Sequence, residues 1–313
     1  MVEPVGRHVE RLAALSGRSA ARVGVVGTGD WVEDVSAVAP AWRRRVVARV
    51  DPAGIATEAV SLAGVDELVV DSLAFSAVTS HVPYATRARM ATLVGDDPAE
   101  IFAPALSTWA RGCKRAVDIG LGAVALVLAA PVLAAAAVAI RLDSPGPVLF
   151  RQVRPGLNGR SFVLLKLRTM DVDNDDAEHR AYVATLIGGA GVRHRGLLKL
   201  VDDPRVTRVG RILRRYSIDE LPQLINVLRG DMSLVGPRPP IAAEVDHYDA
   251  DLWLRLRVKP GMTGAWQVAG RNELTYAEMV ALDIDYWRHW SLWSELRILA
   301  RTLPAVLGAR GAA

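Results

Sequence analysis

The chain has 313 residues, of which 51% are hydrophobic and one is a cysteine, Cys113, and its formal net charge is +4. This length predicts two domains, the apolar content excludes extended disorder, and the lone cysteine excludes a disulfide framework or a zinc site built from several cysteines. The charge is uneven, because residues 1–110 hold ten basic and thirteen acidic side chains, whereas residues 111–313 hold 28 and 21. The basic second part predicts an acidic surface or a phosphorylated substrate as its partner.

The first 110 residues have the pattern of a small α/β domain. The opening segment carries charged side chains throughout and lacks the apolar core of a secretory signal peptide, so we expect the N-terminus to stay in the cytosol. Short apolar runs bounded by turn residues then predict three buried strands, at Val23–Val26, Val46–Val50 and Glu67–Val70. Ala-rich segments between these runs fit the helices of such a domain.

The end of the first predicted strand has two possible interpretations. The turn Gly27-Thr28-Gly29 is typical of a dinucleotide-binding loop, and Asp51 follows the next strand, where an acid that binds ribose would lie. The third glycine position, however, holds Val32, and little chain separates the turn from the second strand. An NAD(P)-binding oxidoreductase therefore stays open as an alternative, but the pattern favours a shortened Rossmann-like remnant.

The most apolar part of the chain runs from Ile119 to Ile140 without a charged side chain. As one helix it would be about 33 Å long, enough to cross a hydrocarbon core of about 30 Å, and Pro131 near its middle predicts a kink. Basic side chains flank it on both sides: Arg111, Lys114, Arg115, Arg141, Arg151 and Arg154. Since a spanning helix shows a charge bias toward one side, the pattern favours a re-entrant helix over a straight span or a buried core helix.

A β-hairpin is predicted directly after this segment. Gly- and Pro-rich turns surround the apparent strand Val148–Val153, and a second strand pattern follows at Ser161–Leu167. The acidic tract Asp171-Val172-Asp173-Asn174-Asp175 comes next, with Asp176 where a calcium loop needs glycine. We therefore interpret that tract as a solvated turn or helix start and not as a metal site.

Charged residues are concentrated between positions 199 and 240, around the acidic pair Asp219-Glu220. Guanidinium groups match phosphate oxygens in bidentate geometry, so this density predicts a diphosphate substrate. The alternative is a solvated basic helix on an anionic membrane surface. The seven arginines are Arg205, Arg208, Arg211, Arg214, Arg215, Arg229 and Arg238.

The acidic pair also has the sequence of a helix start. Ser217 and Glu220 have the spacing of a capping box, but Pro222 would then interrupt the new helix. With Asp219 as the cap, Pro222 falls in the tolerated first turn, so we expect the helix to begin there. A positive helix end among arginines would keep Asp219 ionised, as a carboxylate nucleophile must be.

Two Gly- and Pro-rich loops complete the motifs of the second part. Val235-Gly236-Pro237-Arg238-Pro239-Pro240 restricts the backbone around Arg238, and Lys259-Pro260-Gly261-Met262-Thr263-Gly264-Ala265-Trp266-Gln267 suits close approach by a nucleotide or sugar. Further on, Trp290, Trp293 and Leu296 have helical spacing, which predicts an interfacial amphipathic helix, with core packing as the alternative.

Taken in order, these motifs resemble the bacterial sugar transferases, also called monotopic phosphoglycosyl transferases. The resemblance runs from Lys114 to the C-terminus and rests on several ordered segments. They are Lys114-Arg115-x-x-Asp118, Ser144–Gln152, Lys166-Leu167-Arg168-Thr169-Met170, Asp203–Thr207, Ser217–Gln223, Met232–Pro239 and Pro260–Gln267. One departure is Ala130, which precedes Pro131 where some members have serine.

The residue pattern predicts an α/β N-terminal remnant over residues 1–110, which the resemblance covers only in part. For residues 111–313 the resemblance implies an α+β, mostly helical, monotopic membrane catalytic domain with a re-entrant helix. It implies a phosphotransferase that moves a sugar-1-phosphate from a UDP-sugar, most simply a hexose such as glucose or galactose, to polyprenyl (undecaprenyl or decaprenyl) phosphate. UMP would be released and Mg²⁺ required. The enzyme would lie on the cytoplasmic face of the inner membrane, in contact with lipid, and a homo-oligomer is compatible with this picture whereas a nucleic-acid partner is not.

The resemblance also implies roles for individual residues. Asp219 would be the nucleophile that forms a phosphosugar-aspartyl intermediate, and Glu220, with Asp219, would bind the metal ion. Phosphate charge would be neutralised by Arg205, Arg238, Lys166 and Arg168. A non-catalytic membrane scaffold is the remaining alternative, but a scaffold has no need for an acidic pair beside Arg238.

Overall fold

The computed structural model describes the second part of the chain almost completely and the first part in pieces. The described residues are 21–27, 31–32, 34–35, 44–50, 65, 67–71, 75, 78, 91–94, 105–171, 205–270 and 274–307. Gly29, Asp51, the acidic tract after Asp171 and the Asp203-Pro204 pair therefore lie outside the described residues. Two compact units are formed: Met1–Pro104 with Asn158–Arg160 and Val245–Leu254, and Ala105–Leu157 with Ser161–Glu244 and Arg255–Ala313.

The first unit contains a parallel sheet of four strands in the order β2-β1-β3-β4. Seven apolar side chains of β1, β3 and β4 are buried, as expected for a parallel sheet covered on both faces: Val25, Val26, Leu68, Val69, Val70, Leu93 and Val94. The three predicted strands are confirmed, whereas the fourth was not predicted, since its sequence, ATLV, has no long apolar run. The strands are β1 (Ala21–Val26), β2 (Arg44–Val50), β3 (Glu67–Val70) and β4 (Ala91–Val94).

Gly27 follows β1 at the place where a dinucleotide-binding loop would begin, but side chains of this protein occupy the space next to its Cα atom. A Cβ atom added to Gly27 would lie 2.4 Å from the ring of Trp31 and 3.4 Å from Cβ of Asp71. The missing side chain therefore makes room for an indole ring. This packing favours the interpretation of the first unit as a structural remnant.

The second unit is mostly helical, and its largest element is the helix α1 (Thr108–Asp143), which contains the whole apolar segment. Ser107 caps its start by accepting a hydrogen bond from the backbone of Ala110 at 3.2 Å. The helix continues through Pro131 as a single element. Its C-terminal part packs through Ala136 and Ile140 into a cluster with Leu167 and Leu213.

The predicted hairpin follows α1 and is confirmed. Strands β5 (Leu149–Pro155) and β6 (Ser161–Leu167) pair antiparallel, with Phe150 opposite Lys166 and Val153 opposite Val163. A short 3-10 turn, Leu157–Gly159, connects them. After this hairpin the described chain is helical apart from two three-residue strands, β7 (Ser233–Val235) and β8 (Gly261–Thr263), which pair parallel.

Helices of the second unit form its core with α1 and the small sheet. Buried Leu224, Val227, Met232 and Ile298 make up much of that core. The helices after the hairpin are α2 (Arg208–Arg215), α3 (Gln223–Arg229), α4 (Ala242–Val245), α5 (Ala250–Trp253), α6 (Ala265–Ala269), α7 (Tyr276–Arg288) and α8 (Leu292–Leu307). Of these, α5 belongs to the first unit.

The helix α8 combines the two interpretations offered for the Trp-rich end of the chain. Glu295 and Ile298 are buried against the core, whereas Trp293 and Leu296 are exposed on another side of the same helix. Trp290 lies before the helix and not on it, and its Nε1 donates to Glu295 Oε2 at 2.8 Å. The end of the chain therefore packs on the second unit and keeps an exposed apolar side.

Candidate active site

The acidic pair lies in a 3-10 turn, Ile218–Glu220, between α2 and α3. The prediction that a helix begins with Asp219 as its cap is wrong, because α3 begins at Gln223 and Pro222 occupies the cap position. The capping box is not formed either, since Ser217 has a left-handed backbone (φ 54°) and makes no side-chain cap bond. Pro222 has no N–H to donate, so the turn and the helix remain separate elements.

The two carboxylates of the pair have different surroundings. Asp219 is 5% exposed. Glu220 is partly exposed, and its Oε1 accepts a hydrogen bond from Nζ of Lys166 on β6 at 3.0 Å. The structure therefore brings Lys166 and the acidic pair together through an ion pair with Glu220, and the phosphate-binding role of Lys166 stays a prediction.

The end of α1 holds the turn that carries this pair. The Asp143 carboxylate accepts a hydrogen bond from the backbone of Val209 at 3.0 Å, in the first turn of α2. On the other side of α2, a Cβ atom on Gly210 would lie 2.1 Å from the carbonyl oxygen of Thr169, so only glycine fits. Because α2 leads directly into the 3-10 turn, these two contacts fix where Asp219 lies relative to the membrane segment.

Arg168 and Arg205 are placed differently from Lys166. The buried guanidinium of Arg168 donates to the carbonyl oxygens of Ser144 and Pro145, so it holds the turn that follows α1. The backbone of Arg205 accepts from the backbone of Asp171 at 3.1 Å. The role of each arginine in binding phosphate stays a prediction.

Three glycines fix the loop that carries Arg238. A Cβ atom on Gly236 would lie 2.5 Å from the carbonyl oxygen of Lys259, and one on Gly261 would lie 2.1 Å from the backbone nitrogen of Gly236. A Cβ atom on Gly264 would lie 2.5 Å from the carbonyl oxygen of Gly236. The two Gly- and Pro-rich loops of the sequence therefore cross in direct backbone contact.

Acidic residues that the sequence analysis did not select surround Arg238. The guanidinium is 3.5 Å from Oε1 of Glu244, a buried carboxylate at the start of the next helix. Asp283 on α7 is buried, and its Oδ2 accepts from Arg255 at 2.7 Å. Burial raises the pKa of Asp283 to about 6, although Arg255 and Arg238 oppose the rise. Because α7 also carries Glu278 and Asp285, its sequence alone did not single out Asp283.

The acidic pair is compatible with Mg²⁺. Among the described residues, no group of three or more His, Cys, Asp or Glu side chains could hold a metal ion. Mg²⁺ in phosphoryl-transfer sites is often held by one or two carboxylates, with water and substrate phosphates completing its shell. Asp219 and the partly exposed Glu220 supply carboxylates of this kind, so the predicted metal role of both stays a prediction.

A buried polar network anchors the start of α1. Nζ of Lys114 donates to Glu295 Oε1 at 2.5 Å, to the Val235 carbonyl oxygen at 2.7 Å and to the Tyr286 hydroxyl at 2.9 Å. Burial and the neighbouring Glu295 raise the pKa of Tyr286, so the hydroxyl remains a donor. One turn later, Asp118 accepts from Ser233 and from the backbone of Leu234, both at 2.8 Å. The motif Lys114-Arg115-x-x-Asp118 thus holds β7, which leads to Arg238.

The rest of α1 exposes apolar side chains. Among the described residues it is the one helix long and apolar enough to cross a membrane, and 17% of its most apolar window is buried. Val127, Leu128 and Leu142 are each more than two-thirds exposed. A helix that served as the core of a soluble protein would bury these side chains, so their exposure indicates a lipid-facing surface.

Comparison with known proteins identifies the family. Residues 109–309 match the family described as bacterial sugar transferase. The chain belongs to this family. The expectation of a sugar transferase is therefore confirmed, and with α1 it is a membrane-associated one. The match includes α1, the acidic pair and the Arg238 loop, and it leaves out most of the first unit.

Three relatives show the range of proteins that this sugar transferase is similar to. The UDP-glucose:undecaprenyl-phosphate glucose-1-phosphate transferase of Caulobacter vibrioides is 48% identical over 202 residues, covering 62% of this chain and 69% of the relative. The exopolysaccharide production protein ExoY of Rhizobium meliloti is 42% identical over 198 residues, covering 63% and 87%. The undecaprenyl-phosphate galactose phosphotransferase of Salmonella typhimurium is 40% identical over 202 residues, covering 64% and 42%.

Proposed function

We propose that this sugar transferase moves a sugar-1-phosphate from a UDP-sugar to undecaprenyl phosphate and releases UMP, as the first membrane step of exopolysaccharide synthesis. The names of the relatives support the reaction, since one refers to UDP-glucose and undecaprenyl phosphate and another to galactose. Exopolysaccharide production is the role named for a third relative. From these names we infer a hexose, either glucose or galactose, as the transferred sugar.

The observation that carries the proposal is the environment of Asp219. Its carboxylate is almost fully buried in a tight turn, beside a partly exposed ion pair that a substrate can reach. A buried carboxylate next to a partly exposed ion pair suits a nucleophile that must be oriented and shielded from water.

We propose a two-step route through Asp219. In the first step, a carboxylate oxygen of Asp219 attacks the phosphorus that bears the sugar, the bond from this phosphorus to the bridging oxygen breaks, and UMP leaves with the electron pair. In the second step, a phosphate oxygen of the carrier attacks the same phosphorus, and Asp219 leaves as a carboxylate. The product is a carrier with a diphosphate-linked sugar, and the enzyme is restored.

Cationic side chains would neutralise the phosphate charge during both steps. Lys166 is paired with Glu220 at 3.0 Å, and Arg238 is held on a loop fixed by close backbone contacts. We propose these two as the main phosphate contacts, with Arg205 and Arg168 in support. A Mg²⁺ bound by Glu220 and Asp219 would add further neutralisation of the diphosphate oxygens.

We also propose that α1 is re-entrant. Its start is bonded to β7 and α8 through Lys114, and its end is bonded to α2 through Asp143. A straight span would put these two ends on opposite sides of a hydrocarbon core of about 30 Å. Hydrogen bonds from both ends of α1 to one compact unit support a helix that enters and leaves the membrane on the same side. We propose that this side is the cytoplasmic face of the inner membrane.

The test is a single substitution of the nucleophile. Asp219→Asn keeps the shape of the side chain but removes its negative charge, so we expect UMP release to fall by at least about a thousandfold. The assay uses the full chain in membranes with undecaprenyl phosphate, Mg²⁺ and a panel of UDP-sugars, and the wild-type panel identifies the sugar. Asp251→Asn, which changes an exposed carboxylate, is the matched control. Near-wild-type turnover of Asp219→Asn would disprove the nucleophile assignment.

A further inference from the structure

An exposed aromatic side chain lies beside the acidic pair. Phe150 on β5 is directly opposite Lys166 on β6 in the antiparallel ladder, and it is 45% exposed. Directly opposed residues point to the same face of a sheet, with Cβ atoms about 4.5–5.5 Å apart. Since Lys166 is paired with Glu220, Phe150 lies at the edge of the same site.

The two neighbouring side chains match a ligand that is both anionic and apolar. The ammonium group of Lys166 attracts phosphate, and the ring of Phe150 offers an uncovered apolar face next to it. A polyprenyl phosphate has this combination in one molecule, because its phosphate is joined directly to the first isoprene unit. The sugar and the diphosphate of a UDP-sugar need polar contacts instead.

The position of Phe150 along the chain adds a second argument. The two residues before it, Val148 and Leu149, pack against the cluster that contains Ala136 and Ile140 of α1. Phe150 points to the opposite face from Leu149, the face that it shares with Lys166 and Leu164. Leu164 lies in the same core cluster as Ala129 of α1, so this face of the hairpin also borders the membrane helix.

We propose that Phe150 is a specificity-determining residue that contacts the first isoprene units of the carrier lipid while Lys166 holds its phosphate. This inference rests on the proposed function. It assigns the carrier to the side of the acidic pair that faces the β5–β6 hairpin and the end of α1. The nucleotide sugar is then left to the side that faces the Arg238 loop.

The experiment separates the two substrates kinetically. In the full chain, Phe150→Ala should raise the KM for undecaprenyl phosphate about tenfold, equivalent to about 1.4 kcal/mol of binding, with the KM for the UDP-sugar unchanged. Exchange of labelled UMP into the UDP-sugar without carrier should keep the wild-type rate, because this exchange involves only the first step. Phe150→Leu, which retains an apolar surface, should recover most of the carrier affinity.

Val153→Ala is the matched control, since Val153 is an exposed apolar residue on the other face of the same strand. It should leave both KM values unchanged, which distinguishes carrier binding from general attachment to lipid. An unchanged carrier KM in Phe150→Ala, or a raised KM for the UDP-sugar alone, would overturn the inference. Failure of the wild-type chain to release UMP from any UDP-sugar would instead disprove the proposed function.

Discussion

Nζ of Lys166 lies 3.0 Å from Oε1 of Glu220, and this pair joins the hairpin after the membrane helix to the turn that carries Asp219. Both side chains are partly exposed, so the pair itself contributes little to stability, about 0–1 kcal/mol. Its importance is chemical, because the same carboxylate is the proposed ligand for Mg²⁺ and the same ammonium is the proposed contact for phosphate. A cation that binds Glu220 must compete with Lys166.

This competition gives the first prediction. Lys166→Met removes the competing cation, so Mg²⁺ should reach half-saturation at a lower concentration than in the wild type. At saturating Mg²⁺ the turnover number should fall by about ten- to a hundredfold, because one positive charge near the transferred phosphate is lost. Titration of UMP release with Mg²⁺ measures both effects. A higher Mg²⁺ requirement in the variant would contradict the shared role of Glu220.

The second prediction concerns the buried pair Lys114 and Glu295. Glu295→Leu leaves the Lys114 ammonium buried without its counter-charge, and we expect a loss of about 3–5 kcal/mol in the free energy of unfolding. The double variant Lys114→Met with Glu295→Leu removes both charges and should be more stable than Glu295→Leu alone. Denaturant unfolding in detergent micelles measures all three proteins. A double variant less stable than the single one would show that the charge pair is not the cause.

The third prediction concerns the crossing of the two loops at Gly261. Gly261→Ala would put a Cβ atom 2.1 Å from the backbone nitrogen of Gly236, which no side-chain adjustment can relieve. We expect a loss of stability of about 3 kcal/mol or more and a displaced Arg238. Thermal unfolding and the KM for the UDP-sugar report the two effects. Gly120→Ala is the control, because nothing lies within 4 Å of the added atom, and it should leave both properties near the wild type.

The fourth prediction tests the re-entrant topology. Cys113 before the apolar segment and a cysteine introduced near Asp143 by Pro147→Cys, at an exposed position, should both react with a membrane-impermeant thiol reagent from the cytoplasmic side only. The reason is that both ends of α1 are bonded to the same compact unit. Labelling is measured in inverted and right-side-out vesicles. Reaction of the two cysteines from opposite sides would favour a straight span.

Local patterns in the sequence were sufficient for β1, β2 and β3 of the first unit and for the β5–β6 hairpin, because each has a short apolar run or a strand pattern bounded by turns. They missed β4, whose sequence has no such run. They were insufficient for the turn at Asp219. There, Ser217 and Glu220 had the spacing of a capping box, but Glu220 bonds to Lys166, which is distant in sequence. A competing tertiary contact of this kind leaves no local signal.

The same reason explains why the sequence analysis missed two buried charge pairs. Lys114 and Glu295 are separated by 181 positions, and Arg255 and Asp283 by 28. Each residue taken alone is an ordinary charge in a helical pattern. Only the fold brings the two partners of each pair together. They are buried because the apolar side chains around them pack away from water.

The fifth prediction concerns Asp283 and the pH dependence of stability. Its pKa is raised from 3.8 to about 6 in the folded chain, mainly because the carboxyl group is buried. Between these two values the folded chain holds a proton that the unfolded chain has released, so stability should fall as the pH rises from about 4 to 6. The raised pKa of Asp283 contributes about 3 kcal/mol to the free energy of unfolding at low pH, and this contribution is lost above pH 6.

The measurement compares the wild type with Asp283→Asn by denaturant unfolding at several pH values from 4 to 7. The asparagine cannot ionise, so this variant should lack the fall in stability, and the difference between the two proteins should change by about 3 kcal/mol across the window. Were the ion pair with Arg255 stronger than the cost of burial, the folded chain would instead favour the carboxylate. Stability of the wild type would then rise relative to the variant with increasing pH, and the sign of the slope therefore decides between burial and pairing as the dominant effect.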